Sequence, residues 1–227
     1  MTDYHCHILP GIDDGAADAE ISTQMLELMW RQGVTRVVAT PHFYAHREDG
    51  VENYLEKRRR AFDWMTETAA QSDKKIPDEI YLGAEVAIEQ GISRLPGIEK
   101  LRLADTPYIL LELPYAPFGR WMLEEAEAIS HLYGLTPILA HVHRYIYYYH
   151  KQQLEDLLRF DGIFQLNNSG FRAFGERRFS RRVIREGCPY LFGSDAHNMS
   201  NRRPDWDFLL KKVKPDELRQ AENLFPE

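Results

Sequence analysis

The stretch Asp3-Tyr4-His5-Cys6-His7-Ile8-Leu9-Pro10-Gly11-Ile12-Asp13-Asp14-Gly15 sets two imidazoles two residues apart, with two carboxylates a short turn later. In an extended strand both histidines leave the same face. Pro-Gly and Asp-Asp-Gly are turn chemistry that swings a carboxylate back toward that face. Histidine with carboxylate suits Mn, Fe or Zn, and hard oxygen favours Mn over Zn. Later segments repeat the pattern, with His42, Glu85, Glu112, His141, Asp195 and His197 each at or near the end of an apolar run. Glu112 lies inside the run Tyr108–Pro114. A buried carboxylate needs a cation or a proton there, because burial without a partner costs too much.

The elements that carry these residues follow from periodicity. A helix is expected from Asp18, with Ile21, Met25, Leu28 and Met29 inward and Gly33 at its end. Val34–Thr40 reads as a strand, and a long helix follows over 51–71. Further strands are expected over 80–85, 108–114, 137–144, 163–167 and 190–197, with a helix over 121–133. A pair of helices beginning near Pro204 and Pro215 closes the chain. Strand and helix alternate seven times, which predicts a parallel sheet with outer helices in one α/β domain spanning 1–227. Seven strands close most simply as a barrel related to the eight-stranded (β/α) form, with an open doubly wound sheet as the runner-up. Six of the seven expected strands finish in His, Asp or Glu, and active sites in such folds lie at the carboxyl ends of strands. Singly, each polar residue has a structural explanation as a cap, a turn or a core histidine. Together, nine ligand-type side chains meet at one mouth.

The chain of 227 residues is 44% hydrophobic and 12% aromatic, enough for one substantial core. Its formal net charge of −7 argues against a nucleic-acid or membrane surface. Two cysteines, Cys6 and Cys188, fit a reducing compartment, and neither a leader pattern nor a membrane-spanning run is visible, so the expected location is cytoplasmic. Six residues past Cys6 stands Ile12, and six past Cys188 stands Ser194, so the Cys-X5-Arg loop of cysteine-dependent phosphatases is absent. A Gly-rich phosphate loop with Lys is absent too.

The carrying motifs are His5-Cys6-His7-Ile8-Leu9-Pro10-Gly11-Ile12-Asp13-Asp14-Gly15, Ala39-Thr40-Pro41-His42, Gly83-Ala84-Glu85 and Glu112. They continue with Ala140-His141-Val142-His143-Arg144-Tyr145, Gln165-Leu166-Asn167-Asn168-Ser169 and Gly193-Ser194-Asp195-Ala196-His197-Asn198. In this order they resemble the polymerase-and-histidinol-phosphatase (PHP) family of metal-dependent phosphoesterases. Within it they are most similar to the bacterial tyrosine phosphatases that accompany capsule and exopolysaccharide tyrosine kinases. The resemblance implies a distorted seven-stranded (β/α) barrel with three divalent cations, usually Mn, with Fe, Co or Zn as alternatives. His5, His7, Glu85 and Asp195 would hold the first metal. A bridging Glu85 with Glu112 and His141 would hold the second, and Asp14, His42 and His197 the third. Asp13 is the alternative to Asp14. A metal-activated hydroxide would attack phosphorus, and Arg144 and Arg203 are the candidate phosphate clamps, with Arg202 the alternative to Arg203. His143 is open between facing the site and packing. Phe43, Tyr44, Phe118 and Trp121 are candidates to wall a phenyl-ring pocket, and the Tyr145–Tyr149 cluster could either line an entrance or pack.

The implied activity is hydrolysis of phosphotyrosine on the tail of a polysaccharide-export tyrosine kinase, with no nucleic acid, no membrane insertion and an oligomer possible. Two alternatives share the motifs. One is a PHP phosphatase for a small phosphomonoester such as histidinol phosphate. The other is a non-catalytic, metal-stabilised module that binds a phosphoprotein.

Overall fold

The computed structural model describes Met1 to Phe225, and its strands run parallel in two sheets. The first strand, β1 (Thr2–Cys6), leads through the histidine-aspartate turn into α1 (Ala19–Arg31). Asp18 caps α1 by accepting from Ile21 N at 2.8 Å, as a short side-chain oxygen ahead of an apolar stripe should. There follow β2 (Arg36–Ala39), β3 (His42–Phe43), α2 (Val51–Ala70), β4 (Glu79–Leu82), β5 (Glu85–Ala87) and β6 (Tyr108–Glu112). The chain continues with α3 (Trp121–Tyr133), β7 (Thr136–Leu139), α4 (Lys151–Leu158), β8 (Ile163–Asn167), α5 (Phe174–Arg185) and β9 (Tyr190–Gly193). Two short helices end it, α6 (Trp206–Leu209) and α7 (Pro215–Gln220).

Among the described residues the strands number nine rather than seven, in orders β1-β2-β4 and β3-β5-β6-β7-β8-β9. Two expected strands are each broken. Thr40-Pro41 separates β2 from β3, since proline has no N–H for the ladder. Gly83-Ala84 separates β4 from β5, where a Cβ on Gly83 would sit 2.5 Å from Leu103 Cδ2. Hydrogen bonding carries on across both breaks. Thr40 N donates to Cys6 O at 2.9 Å, Gly83 N to Ala39 O at 2.8 Å, and Glu85 N to Pro41 O at 3.1 Å. The strands expected over 137–144 and 190–197 also end early, at Leu139 and Gly193. Beyond them His141 (φ 32°) and Asp195 (φ 52°) take left-handed backbone, which non-glycine residues adopt only where surrounding contacts hold them.

The edges of the two sheets meet at β1 and the segment after β9. Asp195 N donates to His5 O at 2.7 Å, His7 N to Ala196 O at 2.8 Å, and Cys6 bridges Ala196 in parallel. Beneath, buried Asp3 ties the seam: Oδ1 accepts from Ser194 N at 2.9 Å and Oδ2 from Trp206 Nε1 at 2.8 Å. Burial pushes its carboxyl up, and these donors work against that shift. Helices pack outside the strands through Met25, Leu26, Met29, Met65, Met122 and Val183. Tyr4, Val38, Leu110, Ile138, Ile163 and Leu191, one from each of six strands, form a second apolar cluster with Leu103 and Leu224. Alternate strand residues filling an interior in this way is a barrel habit.

The seam leaves no room for a side chain at Gly193, where a Cβ would lie 2.7 Å from His5 Cβ and 2.9 Å from His5 N. Gly193→Ala is therefore expected to lower stability by about 1–3 kcal/mol, the usual cost of overpacking. Urea unfolding checks it, and an unchanged midpoint would mean that β9 can withdraw from β1.

Candidate metal centre

All nine ligand-type residues expected from the sequence reach one place: His5 and Glu112 from β1 and β6, His42 and Glu85 at the starts of β3 and β5, and the others from the loops after β1, β7 and β9. Glu85, at the start of β5, is its hub. Its Oε2 lies 3.1 Å from His5 Nε2, 3.2 Å from His7 Nε2 and 3.1 Å from His42 Nδ1. Its Oε1 lies 2.8 Å from His141 Nε2, which is also 3.3 Å from Glu112 Oε1. Asp195 Oδ1 stands 3.7 Å from His5 Nε2 and 3.5 Å from both His7 Nε2 and His197 Nδ1. Asp14 Oδ1 completes the set, 3.5 Å from His42 Nε2 and 3.4 Å from His197 Nε2.

Three groups have donor atoms mutually within 4.8 Å: His7, Asp14, His42 and His197; His5, His7 and Asp195; and His42, Glu85 and Glu112. This division overlaps the expected one, with His42 standing beside Glu85 and Glu112 as well as beside Asp14.

The donor set fits divalent cations. Glu85 Oε2, His42 Nδ1 and His197 Nε2 are buried, and none makes a hydrogen bond within the protein. His5 Nε2 and His7 Nε2 face each other at 3.2 Å, an arrangement that needs a proton or a cation between lone pairs. Burial disfavours charge at Glu85, yet His5 and His42 hold its carboxyl well below the usual carboxylate range. Burial likewise opposes ionisation of Asp195, but Arg144, His5 and Arg202 keep it ionised. At His7, burial disfavours the imidazolium, while Asp13 and Glu85 push its pKa up to about 10. His7, drawn so strongly to positive charge, can hold a metal in the proton's place.

Asp13 and Asp14 separate into different positions. Asp13 Oδ2 accepts from His7 Nδ1 at 2.7 Å and from His42 N at 2.9 Å, while Oδ1 accepts from Gly15 N. It thus orients His7 so that Nε2 faces Glu85. Asp14 is the carboxylate that turns toward His42 and His197.

Arg144 Nη2 pairs with Asp195 Oδ2, and its Nη1 donates to Tyr115 OH at 3.0 Å. Arg202, rather than Arg203, faces the centre, with Nη2 2.8 Å from Asp195 Oδ1 and Nη1 3.6 Å from Asp14 Oδ2. Arg203 is exposed and lines an adjoining cavity instead. His143 packs against Gly170, where a Cβ would lie 2.9–3.0 Å from its ring. Among the four candidate pocket walls, Tyr44 lies beside His42, with ring centroids 5.1 Å apart. Phe43 is core, and Phe118 packs on Tyr149. The tyrosine cluster divides: Tyr145 and Tyr149 are buried, while Tyr147 and Tyr148 are exposed.

Three contributors carry no assigned role in the sequence reading. Gln165 Oε1 accepts from His141 N at 2.7 Å and lies 3.1 Å from His5 Nδ1, so His5 presents Nε2 to the centre. Gln165 Nε2 donates to Asn167 Oδ1, and Asn167 Nδ2 donates to Asp195 Oδ2. Their spacing of two in the apolar strand β8 was the available signal. Tyr115 had none; its ring stacks on His141 with centroids 5.8 Å apart.

Comparison with known proteins gives the chain its relatives. A family model described as capsular polysaccharide synthesis, CpsB/CapC, matches residues 1–220. The chain is 33% identical over 207 residues to tyrosine-protein phosphatase YwqE of Bacillus subtilis, covering 89% of this chain and 79% of that protein. It is 27% identical over 246 residues to tyrosine-protein phosphatase CpsB of Streptococcus pneumoniae, covering 99% and 95%. A structure from work on YwqE and CpsB, described there as unique metal-dependent tyrosine phosphatases, superposes with a TM-score of 0.80. The identity is 26%, covering 98% of this chain and 96% of the other. The phosphotriesterase homology protein of Escherichia coli shares the fold, with a TM-score of 0.52 at 11% identity, covering 97% and 94%. With its first 220 residues matched and its likeness to these relatives running nearly end to end, the chain belongs to the CpsB/CapC family of capsular polysaccharide synthesis.

Proposed function

We propose that this protein is a metal-dependent protein-tyrosine phosphatase that acts on a phosphotyrosine protein, the tail of a polysaccharide-export kinase. The observation that carries the reading is the convergence of His5, His7, His42, His141, His197 and four carboxylates on one mouth flanked by two guanidiniums. Three cations, with Mn favoured by the oxygen share of the donors, would be held by the nine residues Asp14, Glu85, Glu112, Asp195 and the five histidines. The two sheets are read as arcs of one seven-stave barrel in a single domain over 1–227. Hydrogen bonds crossing both strand breaks and the β1–β9 seam support that reading, as does an apolar cluster drawn from Cys6 to Val213. Its location is taken as cytoplasmic; no helix among the described residues is long and apolar enough to cross a membrane.

Bound cations would supply Lewis acidity and an activated water. The chain's own residues do the rest. Arg144 and Arg202 stand on either side of Asp195 and offer their remaining N–H groups to the phosphate oxygens. Asp13 and Gln165 hold His7 and His5 in the tautomers that direct Nε2 inward. Tyr115 and Tyr148, with ring centroids 5.5 Å apart, give an aromatic wall for a phenyl ring. Burial and Glu112 keep the Tyr115 phenol protonated against the pull of Arg144. The leaving phenolate of tyrosine titrates near about 10 and needs little acid assistance.

Metal-stripped protein refilled with Mn, Fe, Co, Zn or Mg is expected to prefer a phosphotyrosine peptide over a phosphoserine peptide and histidinol phosphate, with Mn the best metal. A preference for histidinol phosphate would move the assignment to small phosphomonoesters. Arg144→Ala is expected to lower kcat/KM by roughly 10²–10³-fold, as removal of an oxyanion donor does. Asp13→Ala is expected to weaken metal retention by about 10–100-fold, because it removes the acceptor that holds His7 Nδ1 and frees His7 to turn. Metal content after dialysis against a chelator reads that effect directly, and unchanged retention would remove Asp13 from the site.

A further inference from the structure

Adjoining the metal centre through Asp195 is a cavity of about 560 Å³ lined by Arg144, Arg172, Arg202 and Arg203, with Ser169 and Asn201. Among the described residues two carboxylates, Asp195 and Asp205, line the same space. Four guanidiniums against two carboxylates leave an excess of positive charge, in a chain whose formal net charge is −7. Asp195 is already shared by Arg144 and Arg202, and Arg172 Nη2 takes Asp205 Oδ2 at 2.8 Å. Arg203 has no ion-pair partner among the described residues. Arg172 is held in place, its Cζ lying 4.0 Å from the centre of the Phe208 ring while Asp205 grips the guanidinium. Guanidiniums gathered around one small space repel one another unless an anion enters, and a fixed fork loses little entropy in binding one.

We propose that this cavity is a second anion subsite, which takes an acidic group carried on the same peptide as the phosphotyrosine. The proposal rests on the phosphatase reading of the neighbouring centre. Arg144 and Arg202 belong to both spaces, so a phosphate at the metals and an acid in the cavity lie on one continuous track. Arg172 and Arg203 lie outside the metal centre and belong to the subsite alone. The shared chemistry is a compact anion, supplied either by an aspartate or glutamate flanking the phosphotyrosine or by a second phosphotyrosine nearby.

The test uses the Mn-loaded full chain and labelled peptides in which a non-hydrolysable difluoromethylphosphonate replaces the tyrosine phosphate. One peptide has neutral flanks, one carries acidic residues on both sides, and one carries a second phosphotyrosine. Fluorescence anisotropy is expected to show the acidic or doubly phosphorylated peptide binding roughly fivefold tighter per added anion. The advantage should shrink with added salt. Which of the two peptides gains more identifies the source of the anion. Arg172→Gln with Arg203→Gln is expected to erase the advantage and leave affinity for the neutral peptide unchanged. Arg203→Glu alone, an exposed site that should not perturb folding, is expected to reverse it. Equal binding of all three peptides, or an advantage that survives both variants, would overturn the subsite. Hydrolysis of the neutral phosphotyrosine peptide is measured alongside. Its absence with a retained binding preference would count against the phosphatase reading and leave the subsite standing.

Discussion

A single buried carboxylate sets the terms for the rest of this molecule. Glu85 is 1% exposed, and four imidazoles from β1, β3 and the loops after β1 and β7 crowd its two oxygens. An ionised carboxylate so deeply placed is tolerable only with compensating positive charge. The fold answers by bringing histidines and carboxylates to it from β1, β3, β6 and the loops after β1, β7 and β9. That requirement explains why the strand ends are short and irregular. A regular strand would carry His42 or Asp195 past the mouth, whereas the breaks at Pro41 and Gly83 and the left-handed turns at His141 and Asp195 stop them at it.

The outer partners follow the same logic. Asp13 fixes His7, Gln165 fixes His5, and Asn167 fixes Asp195, each by one hydrogen bond to the atom that does not face the centre. Gln165 and Asn167 are completely buried, so their amides are satisfied by the site and by each other rather than by water. The centre is therefore two layers deep before the apolar interior begins.

Much of the ligand set was legible because strand periodicity is a hard geometric rule. His5 and His7 share a face by spacing alone, and Glu112 announces itself by interrupting an apolar run. What could not be read were features set by backbone angles and tertiary approach. The broken strands turn a count of seven into nine, because a ladder defect depends on what packs against Gly83 as well as on its identity. The choice of Arg202 over Arg203 rests on the loop after β9, where His197 N and Asn198 N both bond to Arg202 O. Neighbouring arginines of identical type offer no pattern that would separate them. Tyr115 was invisible for the same reason, since its place follows from where the chain turns after Pro114.

The seam between β1 and the segment after β9 has a consequence for how the molecule is made. The residues that begin the site, from His5 to Asp14, leave the ribosome first, and their partners Asp195, His197 and Arg202 come close to two hundred residues later. At the usual pace of synthesis, about 5–20 residues per second, that interval is on the order of ten seconds or more. Until then β2 is the strand that pairs with β1, and His5 O and His7 N wait for Asp195 and Ala196. The seam is a contact of high sequence separation, the kind that closes slowly. A chain stalled before Asp195 lacks Asp195, His197 and Arg202, so it cannot gather the full cluster.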